Sequence, residues 1–257
     1  MKLPFKKYQA TGNDFVVVDN RDGGFRLTID EIKRICDRKF GVGADGVMLI
    51  ERDATSDFNL VYYNSDGTQS LCGNGSRAAV KMAASLGLVK QHTTFNAYDG
   101  LHEADVLDAD IVRLKMNDVT EVKQMGQDVF LNTGSPHLVK FVTNVKDHPV
   151  VAEGRTIRYS ETFKPKGTNV NFAELRDNNT IFVRTYERGV EDETLSCGTG
   201  VTAVVLAASL EGYTSPVRIK ALGGDLSVEF ERNGDGSFKN IYLIGPARMV
   251  FAGEIEI

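Results

Sequence analysis

The sequence lacks long apolar runs, an excess of positive charge and a large set of cysteines, and each absence excludes a class of protein. No stretch approaches the roughly 18 consecutive apolar residues of a membrane-spanning helix. The formal net charge of −5 argues against a nucleic-acid partner that needs a basic face. The 257 residues include three cysteines, and this odd count does not indicate a disulfide framework.

The remaining bulk properties indicate a soluble globular protein. Hydrophobic residues make up 42% of the chain and charged residues 25%, and the length allows one or two domains. Residues 1–7 contain neither an apolar run nor a small-residue cleavage site, so we expect no secretory signal. Unpaired thiols fit a reducing compartment, and we therefore expect a cytoplasmic protein.

Two short segments of similar sequence stand out. Residues 71–80 read LCGNGSRAAV, and residues 196–205 read SCGTGVTAVV. In each, a cysteine precedes a Gly-x-Gly turn and a run of small and apolar residues that predicts a helix. A helix N-terminus presents N–H groups and partial positive charge, which bind anions and lower the pKa of a nearby thiol from about 8.5 toward roughly 3.5–7.5.

Four landmarks recur in the same order in both halves of the chain, 122 to 125 residues apart. The pairs are Gly12-Asn13-Asp14-Phe15 with Gly134-Ser135-Pro136-His137, Gly43-Ala44-Asp45-Gly46 with Gly167-Thr168-Asn169-Val170, Tyr63-Asn64 with Tyr186-Glu187, and Cys72-Gly73-Asn74-Gly75 with Cys197-Gly198-Thr199-Gly200. The nearly constant spacing predicts one ancestral unit used twice. Because the period is too long for a solenoid repeat, it indicates two similar domains.

The duplication predicts an α/β (α+β) fold with two pseudo-symmetric domains. Each is expected to be a mainly antiparallel sheet wrapped around a central helix, with the active site in the interdomain cleft. We place the domains at residues 1–118 and 119–245, and the last strand, about 246–257, is expected to return to the first domain. A separate short helix is predicted from the capping-box pattern of Thr28 and Glu31. Its apolar face carries Ile29 and Cys36, so we interpret Cys36 as a core residue.

A pair of thiols at helix N-termini can move a proton at an amino-acid α-carbon. One thiolate removes the proton from one face, and a thiol delivers a proton to the other face. The two helix N-termini can hold the α-carboxylate and its developing charge. No cofactor is obligatory for this reaction, and no lysine beside phosphate-binding elements indicates a pyridoxal cofactor. Without a Cys-x-x-Cys pair, a zinc site and a thioredoxin-like centre are poorly supported.

These residues resemble the diaminopimelate epimerase family, the cofactor-independent isomerases of lysine and peptidoglycan precursor synthesis. The resemblance covers nearly the whole chain. Its most specific motifs are Gly12-Asn13-Asp14-Phe15, Asn64-Ser65-Asp66-Gly67, Cys72-Gly73-Asn74-Gly75-Ser76-Arg77, Gly167-Thr168-Asn169-Val170-Asn171-Phe172, Tyr186-Glu187-Arg188-Gly189 and Ser196-Cys197-Gly198-Thr199-Gly200. The resemblance implies interconversion of LL- and meso-2,6-diaminopimelate by two thiols, no cofactor, and usually a homodimer.

The resemblance also implies roles for individual residues. Cys72 and Cys197 match the catalytic acid/base thiols, and His137 and Glu187 match residues that tune the thiol pKa values. The implied substrate-binding set, which contains no metal ligand, is Asn13, Asn64, Gly73, Asn74, Asn169, Glu187, Arg188, Gly198 and Thr199. Amides can bind the distal ammonium or carboxylate of diaminopimelate, and a guanidinium can grip a carboxylate in two places. Which thiol acts on which isomer stays open.

Two positions depart from the family pattern. Ser135 stands where many members have asparagine, and Gly46 stands where some have glutamine, so substrate contacts at both positions stay open. The nearest alternative is a proline or hydroxyproline racemase or epimerase, although proline has no charged distal end for Arg188 to bind. An alternative from another class is a non-catalytic amino-acid-binding or thiol-regulated protein. The presence of both Cys72 and Cys197 speaks against that alternative.

Overall fold

The computed structural model describes residues 2–257 and, within them, seventeen strands and four α-helices. The elements of the first half are β1 (Lys2–Ala10), β2 (Asn13–Asp19), α1 (Ile29–Cys36), β3 (Gly46–Glu51), β4 (Phe58–Asn64), α2 (Gly73–Ser85), β5 (His92–Ala97), β6 (Gly100–Val106) and β7 (Ile111–Lys115). Those of the second half are β8 (Val122–Met125), β9 (Asp128–Asn132), β10 (Pro136–Phe141), α3 (Val150–Arg158), β11 (Asn169–Arg176), β12 (Thr180–Glu187), β13 (Asp192–Thr194), α4 (Gly198–Ala208), β14 (Val217–Ala221), β15 (Gly224–Arg232), β16 (Phe238–Pro246) and β17 (Arg248–Glu256).

The chain forms two compact units. The first consists of Met1–Leu114 and Gly245–Ile257, and the second consists of Lys115–Ile244. The boundary between the two units therefore lies after Leu114, whereas the sequence predicts it after residue 118. Strand β17 pairs antiparallel with β1 in the first unit. In the described part of the chain, no helix has the length and apolar character needed to cross a membrane.

The first unit contains a mainly antiparallel sheet around one helix. Its strands pair in the order β17-β1-β2-β3-β4-β5-β6-β7. Only the pairs β2–β3 and β4–β5 are parallel in this series, and the connections between them contain α1 and α2 respectively. Helix α2 packs against β1, β2, β3, β4 and β6 and is buried over most of its length. This arrangement places the N-terminus of α2 close to the β1–β2 turn.

The second unit repeats this topology. Its strands pair in the order β8-β9-β10-β11-β12-β14-β15-β16, and β13 adds to β12. The parallel pairs are β10–β11 and β12–β14, and their connections contain α3 and α4. Helix α4 has no charged residue and is buried throughout its apolar run, as expected for a helix surrounded by strands. The predicted α/β class is thus confirmed within each unit.

The duplication extends to the backbone conformation of the landmark turns. Gly12 and Gly134 have φ angles of +87° and +110°, and Gly43 and Gly167 have +77° and +68°. Side chains rarely adopt this left-handed region, so glycine is required at equivalent points of both units. Gly12 closes the β1–β2 hairpin, and Gly134 closes the β9–β10 hairpin.

Helix α1 forms as its sequence predicts, except at its first residue. The Thr28 hydroxyl accepts from the Glu31 N–H at 3.3 Å, and the Glu31 carboxylate accepts from the Thr28 N–H at 2.7 Å. Cys36 is buried in the core of the first unit, as expected. Ile29, however, is 56% exposed, although the sequence pattern places it on the same apolar face as Cys36. Its side chain lies instead over the turn at Gly67, too close for any side chain there.

Candidate active site

Cys72 caps the N-terminus of α2. Its backbone is extended, with φ −129° and ψ 115°, and its carbonyl accepts the first helical hydrogen bond from Ser76 N–H at 2.7 Å. The thiol folds over the first turn, where Gly75 N–H donates to Sγ at 3.4 Å. A sulfur in this position faces the positive end of the helix, which favours the thiolate form.

Gly75 allows the first turn of α2 to approach the sheet. A Cβ atom at this position would collide with Cε of Met48 and would also meet Cβ of Cys72 and the ring of Phe15. The second glycine of the Cys-Gly-x-Gly motif therefore leaves space that the end of the Met48 side chain occupies beside the first turn.

Asn13 and Asn74 lie beside Cys72. The carbonyl oxygen Oδ1 of Asn13 is 3.5 Å from Cys72 Sγ and accepts from Asn74 Nδ2 at 3.5 Å. The other end of the Asn13 amide donates to Asp45, whose carboxylate also pairs with Arg38 at 2.9 Å. The amide is thus held at both ends, and two of the predicted substrate-binding residues share one site with Cys72.

Asn64 lies at the end of β4, in the turn that leads toward Cys72. Its Nδ2 donates to the carbonyl of Thr68 at 3.2 Å and to the Thr68 hydroxyl at 3.0 Å. Its Oδ1 accepts from the Ser70 hydroxyl at 3.2 Å. The side chain therefore shapes the segment just before Cys72, in addition to the binding role that the resemblance implies.

Cys197 occupies the corresponding position on α4. It caps the helix with φ −115° and ψ 112°, and only 8% of the residue is exposed. The Thr199 hydroxyl lies 3.5 Å from Cys197 Sγ. At Gly200 a Cβ atom would collide with Oδ1 of Asn171 and meet Cys197 and His137, so this glycine has the same spatial role as Gly75.

His137 is fully buried behind Thr199, and its tautomer follows from its neighbours. Asn171 Oδ1 accepts from the Thr185 hydroxyl at 3.0 Å, which turns Asn171 Nδ2 toward His137 Nδ1 at 3.1 Å. Nδ1 is then the acceptor, and Nε2 carries the hydrogen. Nε2 lies 2.9 Å from both the Thr199 and Ser135 hydroxyls.

The histidine is neutral. Burial, with the nearby positive charge of Arg188, lowers the pKa of His137 to about 3. Its Nε2 lies 2.9 Å from the Thr199 hydroxyl, which is in turn 3.5 Å from Cys197 Sγ. The imidazole therefore acts near Cys197 as a neutral group and not as a cation.

The segment that carries Arg188 is held by Asn169. Oδ1 of Asn169 accepts from Arg188 N–H at 2.8 Å, and its Nδ2 donates to Ser135 Oγ at 3.2 Å and to the Pro136 carbonyl at 3.0 Å. The Arg188 guanidinium donates to the Lys166 carbonyl at 3.2 Å. Asn169 therefore positions both Ser135 and the backbone of Arg188.

Glu187 lies next to this segment, at the end of β12. Its carboxylate accepts from the Thr194 hydroxyl of β13 at 2.8 Å. The side chain is half-buried, as is that of Arg188. Within the second unit, the predicted residues thus form two neighbouring groups, one around Cys197 and one around Asn169.

The repeat identifies further site residues that were not assigned a role from the sequence. Asp45 orients Asn13, Asn171 orients His137, and Arg77 bonds Asn74. The residue pairs that occupy equivalent places around the two cysteines are Phe15 and His137, Met48 and Asn171, Asn74 and Thr199, and Arg77 and Thr202. A constant offset between the halves could have found them, because every pair falls within the 122 to 125 residue spacing.

The described residues 2–257 bring together no group of three or more His, Cys, Asp or Glu side chains that could hold a metal ion. The polar atoms around the two cysteines are amides, hydroxyls, helix N–H groups and the Arg77 guanidinium. Such donors suit a carboxylate better than a divalent cation, which prefers carboxylate and carbonyl oxygens.

Comparison with known proteins decides the family. A family model described as diaminopimelate epimerase matches residues 5–122 and 129–250, nearly the whole chain. The chain belongs to the diaminopimelate epimerase family. It is 49% identical to the diaminopimelate epimerase of Flavobacterium psychrophilum over 95% of this chain and 97% of the relative. The diaminopimelate epimerase of Chlorobaculum tepidum is 42% identical, with 96% and 99% covered.

Solved structures share the fold of this diaminopimelate epimerase family member at low identity. A phenazine biosynthesis protein of the PhzF family from Bacillus anthracis aligns with a TM-score of 0.79 at 15% identity, covering 100% of both chains. A hydroxyproline epimerase from Agrobacterium vitis aligns with a TM-score of 0.69 at 14% identity, covering 99% of this chain and 92% of that one. At such identities the likeness concerns the fold alone.

Proposed function

We propose that this chain catalyses the interconversion of LL-2,6-diaminopimelate and meso-2,6-diaminopimelate. The observation that carries the proposal is family membership over nearly the whole chain, with a cysteine at a helix N-terminus in both units. The reaction class is isomerisation, and its product serves lysine and peptidoglycan precursor synthesis.

The proposed reaction is a proton transfer between two thiols and one α-carbon. The thiolate of Cys72 or Cys197 takes the α-proton, so an S–H bond forms while the C–H bond breaks. The electron pair left on carbon is delocalised into the α-carboxylate. The second cysteine, protonated at the start, then donates its proton to the opposite face. One C–H bond is broken and one is formed, so no oxidant, reductant or organic cofactor is needed.

The first turns of α2 and α4 are the proposed binding sites for the reacting carboxylate. The backbone N–H groups at Gly73 and Asn74, and at Gly198 and Thr199, lie at the positive ends of these helices. Hydrogen bonds to the carboxylate strengthen as carbanion charge moves onto its oxygens. The site thus stabilises the transition state more than it stabilises the substrate.

The proposed partners of the distal ammonium and carboxylate are the amides of Asn13, Asn64 and Asn169 and the Arg188 guanidinium. Arg188 offers a planar pair of donors that matches a carboxylate. Glu187 is the proposed partner of an ammonium, because it supplies negative charge next to Arg188. Ser135 is engaged with His137 and Asn169, so we assign it a supporting role.

We also propose a cytoplasmic homodimer without a nucleic-acid or membrane partner. Strand β17 exposes Met249, Val250 and Phe251, each at least 45% exposed. Three consecutive apolar side chains exposed on a paired strand favour burial against a second copy of the chain. Reactive thiols need a reducing compartment to stay unpaired, which supports the cytoplasm.

The decisive test is proton exchange in D₂O followed by NMR. Purified, reduced protein without pyridoxal phosphate is incubated with LL-diaminopimelate or, in a parallel sample, with L-proline. We expect deuterium at the α-carbon of diaminopimelate together with formation of the meso isomer, and no exchange of proline. Protein pretreated with iodoacetamide is the control. Exchange of proline alone would replace the proposed substrate, and exchange of neither would favour a non-catalytic binding protein.

A further inference from the structure

Arg77 is a buried cation in the first turns of α2. It is 0% exposed, and it is the largest fully buried side chain among the described residues. Arginine keeps its proton at neutral pH even when burial disfavours the charge. Burial lowers the pKa of Arg77 to about 10, which still leaves the guanidinium charged at pH 7. An isolated buried charge is costly, so its neighbours indicate what compensates it.

The hydrogen bonds of Arg77 go to neutral groups only. Nη2 donates to Asn74 Oδ1 at 2.9 Å and to the Thr11 hydroxyl at 3.1 Å, and Nη1 donates to the Gly73 carbonyl at 3.5 Å. Nε has no hydrogen-bond partner. Among residues 2–257, no carboxylate pairs with this guanidinium. The side chain therefore ties the β1–β2 turn to the first turn of α2 while its charge stays uncompensated by any acid.

Other charged groups on the elements around α2 are engaged elsewhere. The engaged groups are Asp14 with Lys7, Asp19 with Arg21, Lys2 with Glu254, Glu51 with Asn20 and Asn59, Asp105 with Arg113 and His92, His102 with Asp99, Lys6 with Ser85, and Lys81 with the Asp108 carbonyl. The other titratable groups on these strands are Glu103 and the phenols Tyr8, Tyr62 and Tyr63. Arg77 lies in the helix that Cys72 caps, and its guanidinium bonds Gly73 and Asn74, the two residues that follow Cys72. The Cys72 thiol, when ionised, is the group whose charge raises the pKa of Arg77 against the effect of burial. Because the attraction between two charges is mutual, Arg77 stabilises that thiolate equally.

The second unit has no such cation at the equivalent place. Thr202 occupies the position of Arg77 on α4, is 0% exposed, and donates its hydroxyl to the Gly198 carbonyl at 3.0 Å. The neighbouring imidazole of His137 is neutral, as its low pKa shows. The buried positive charge is therefore a feature of the Cys72 helix and not of the duplicated fold.

We propose that Arg77 is a positioning residue that stabilises the thiolate of Cys72 electrostatically and fixes Asn74 in the first turn. The inference rests on the proposed two-thiol reaction. In this proposal the buried guanidinium is always positively charged, and it stabilises Cys72 whenever this residue has lost its proton. Asn13 Oδ1, 3.5 Å from Sγ, acts in the opposite sense because it accepts from the protonated thiol.

The test measures how readily Cys72 is alkylated as a function of pH. The Cys197→Ala background removes coupling between the two thiols. In it, Arg77 is compared with Arg77→Lys, which keeps the charge, and with Arg77→Gln, which keeps hydrogen-bond donors without charge. Iodoacetamide labelling of Cys72 is read by peptide mass spectrometry from pH 5 to 10. Because labelling needs no turnover, its outcome is independent of whether diaminopimelate is the substrate.

We expect a labelling midpoint below about 8.5 with Arg77, and a rise of about one pH unit or more in Arg77→Gln. Arg77→Lys should stay within a few tenths of the starting value. Equal midpoints in all three proteins would overturn the proposal, since a structural role alone leaves the midpoint unchanged. Circular dichroism establishes that each variant is folded. Should Arg77→Gln fail to fold, a midpoint at or above about 8.5 with Arg77 in place overturns the proposal by itself.

Discussion

At the scale of single residues, the two cysteines have the same backbone setting and different chemical surroundings. Each caps a helix and each is followed by a glycine that permits close approach. Beside Cys72 lie apolar side chains and the buried Arg77 charge, whereas Cys197 lies near a neutral hydroxyl and imidazole. Duplication thus preserved the geometry of the thiol, and divergence changed what surrounds it.

The third cysteine is expected to be inert. Burial raises the pKa of Cys36 to about 11, so very little thiolate exists at pH 8. Brief treatment of the native protein with iodoacetamide at pH 8 should modify Cys72 and Cys197 and leave Cys36 intact. Intact-mass and peptide analysis would show this, and unfolding in guanidinium should make all three reactive. Rapid labelling of Cys36 in the native protein would contradict its placement in the core.

His137 should make the protein sensitive to acid. Its folded pKa of about 3 lies below the unfolded value of about 6.5, so unfolding takes up a proton once the pH falls below 6.5. The contribution of the neutral imidazole to the free energy of unfolding is fully present above pH 6.5 and is lost progressively as the pH falls toward 3. The free energy of unfolding should therefore fall by about 3 kcal/mol more in the unaltered protein than in His137→Gln between pH 7.5 and 4. Urea unfolding at each pH measures this free energy. If the unaltered protein and His137→Gln lose stability equally as the pH falls, His137 is not held neutral in the folded protein.

The sequence could predict the residues of short motifs but not their partners. The two Cys-Gly-x-Gly segments are recognisable because all residues of the motif lie within four consecutive positions. The role of Arg77 depends on Thr11, which lies 66 positions away, and on the absence of an acid from its surroundings. No local pattern encodes such an absence. Asn169 is likewise predicted to bind substrate, and the sequence does not show that its amide also holds Ser135 and the backbone of Arg188.

At the scale of elements, the glycines of the first turns decide how closely each helix meets its sheet. In Gly75→Ala the new methyl meets the flexible end of Met48, which can move aside. In Gly200→Ala it meets the Asn171 amide, which is fixed by Thr185 and Leu138 in a buried network. The two equivalent substitutions should therefore differ in cost.

We expect Gly75→Ala to change the free energy of unfolding by less than about 1 kcal/mol, since a gain in helix propensity offsets the contact with Met48. Gly200→Ala should cost about 2–3 kcal/mol and reduce kcat, because Asn171 and His137 must shift. Gly234→Ala, at an open position with an ordinary backbone, is the control and should stay within about 0.5 kcal/mol. Chemical denaturation of the four proteins gives the comparison. Equal costs at both sites would show that Asn171 is mobile.

Apolar residues alternate or run together in β3, β4 and β12, so these strands can be recognised from the sequence. In β1 the charged Lys6 and Lys7 interrupt the apolar pattern of residues 2–10, so this strand is harder to recognise. Lys7 is nevertheless buried, since it pairs with Asp14 at 2.7 Å and with the Gly43 carbonyl. Strand β8 is short and polar, so its own residues carry little strand signal. This strand forms because it pairs with β9, and residues 122–125 alone do not indicate that pairing.

At the scale of the whole molecule, repeated spacing was the most informative signal. The offset of 122 to 125 residues predicts two units of the same topology, and the order of parallel and antiparallel pairs is indeed repeated. The sequence predicts the return of the last strand to the first domain, but it does not identify β1 as the strand with which β17 pairs. Such long-range pairing depends on the full sheet and not on local propensity.

The exposed apolar side chains of β17 should determine the oligomeric state. Placing a charge in an interface of two copies disfavours association, because the charge must lose its water. We expect Val250→Lys to give a monomer, while the unaltered protein is a dimer in size-exclusion chromatography with light scattering. Leu222→Lys, at an exposed position of the second unit, is the matched control and should remain a dimer. A dimeric Val250→Lys protein would place the interface elsewhere.

The central claim is that both thiols are needed for a single inversion. Conversion of LL-diaminopimelate to the meso isomer should be followed in the unaltered protein and in Cys72→Ala, Cys197→Ala and Cys36→Ala, with folding established by circular dichroism. We predict a loss of about 100-fold or more in each of the first two variants and near-normal conversion in Cys36→Ala. Near-normal conversion by either Cys72→Ala or Cys197→Ala would contradict the two-thiol mechanism.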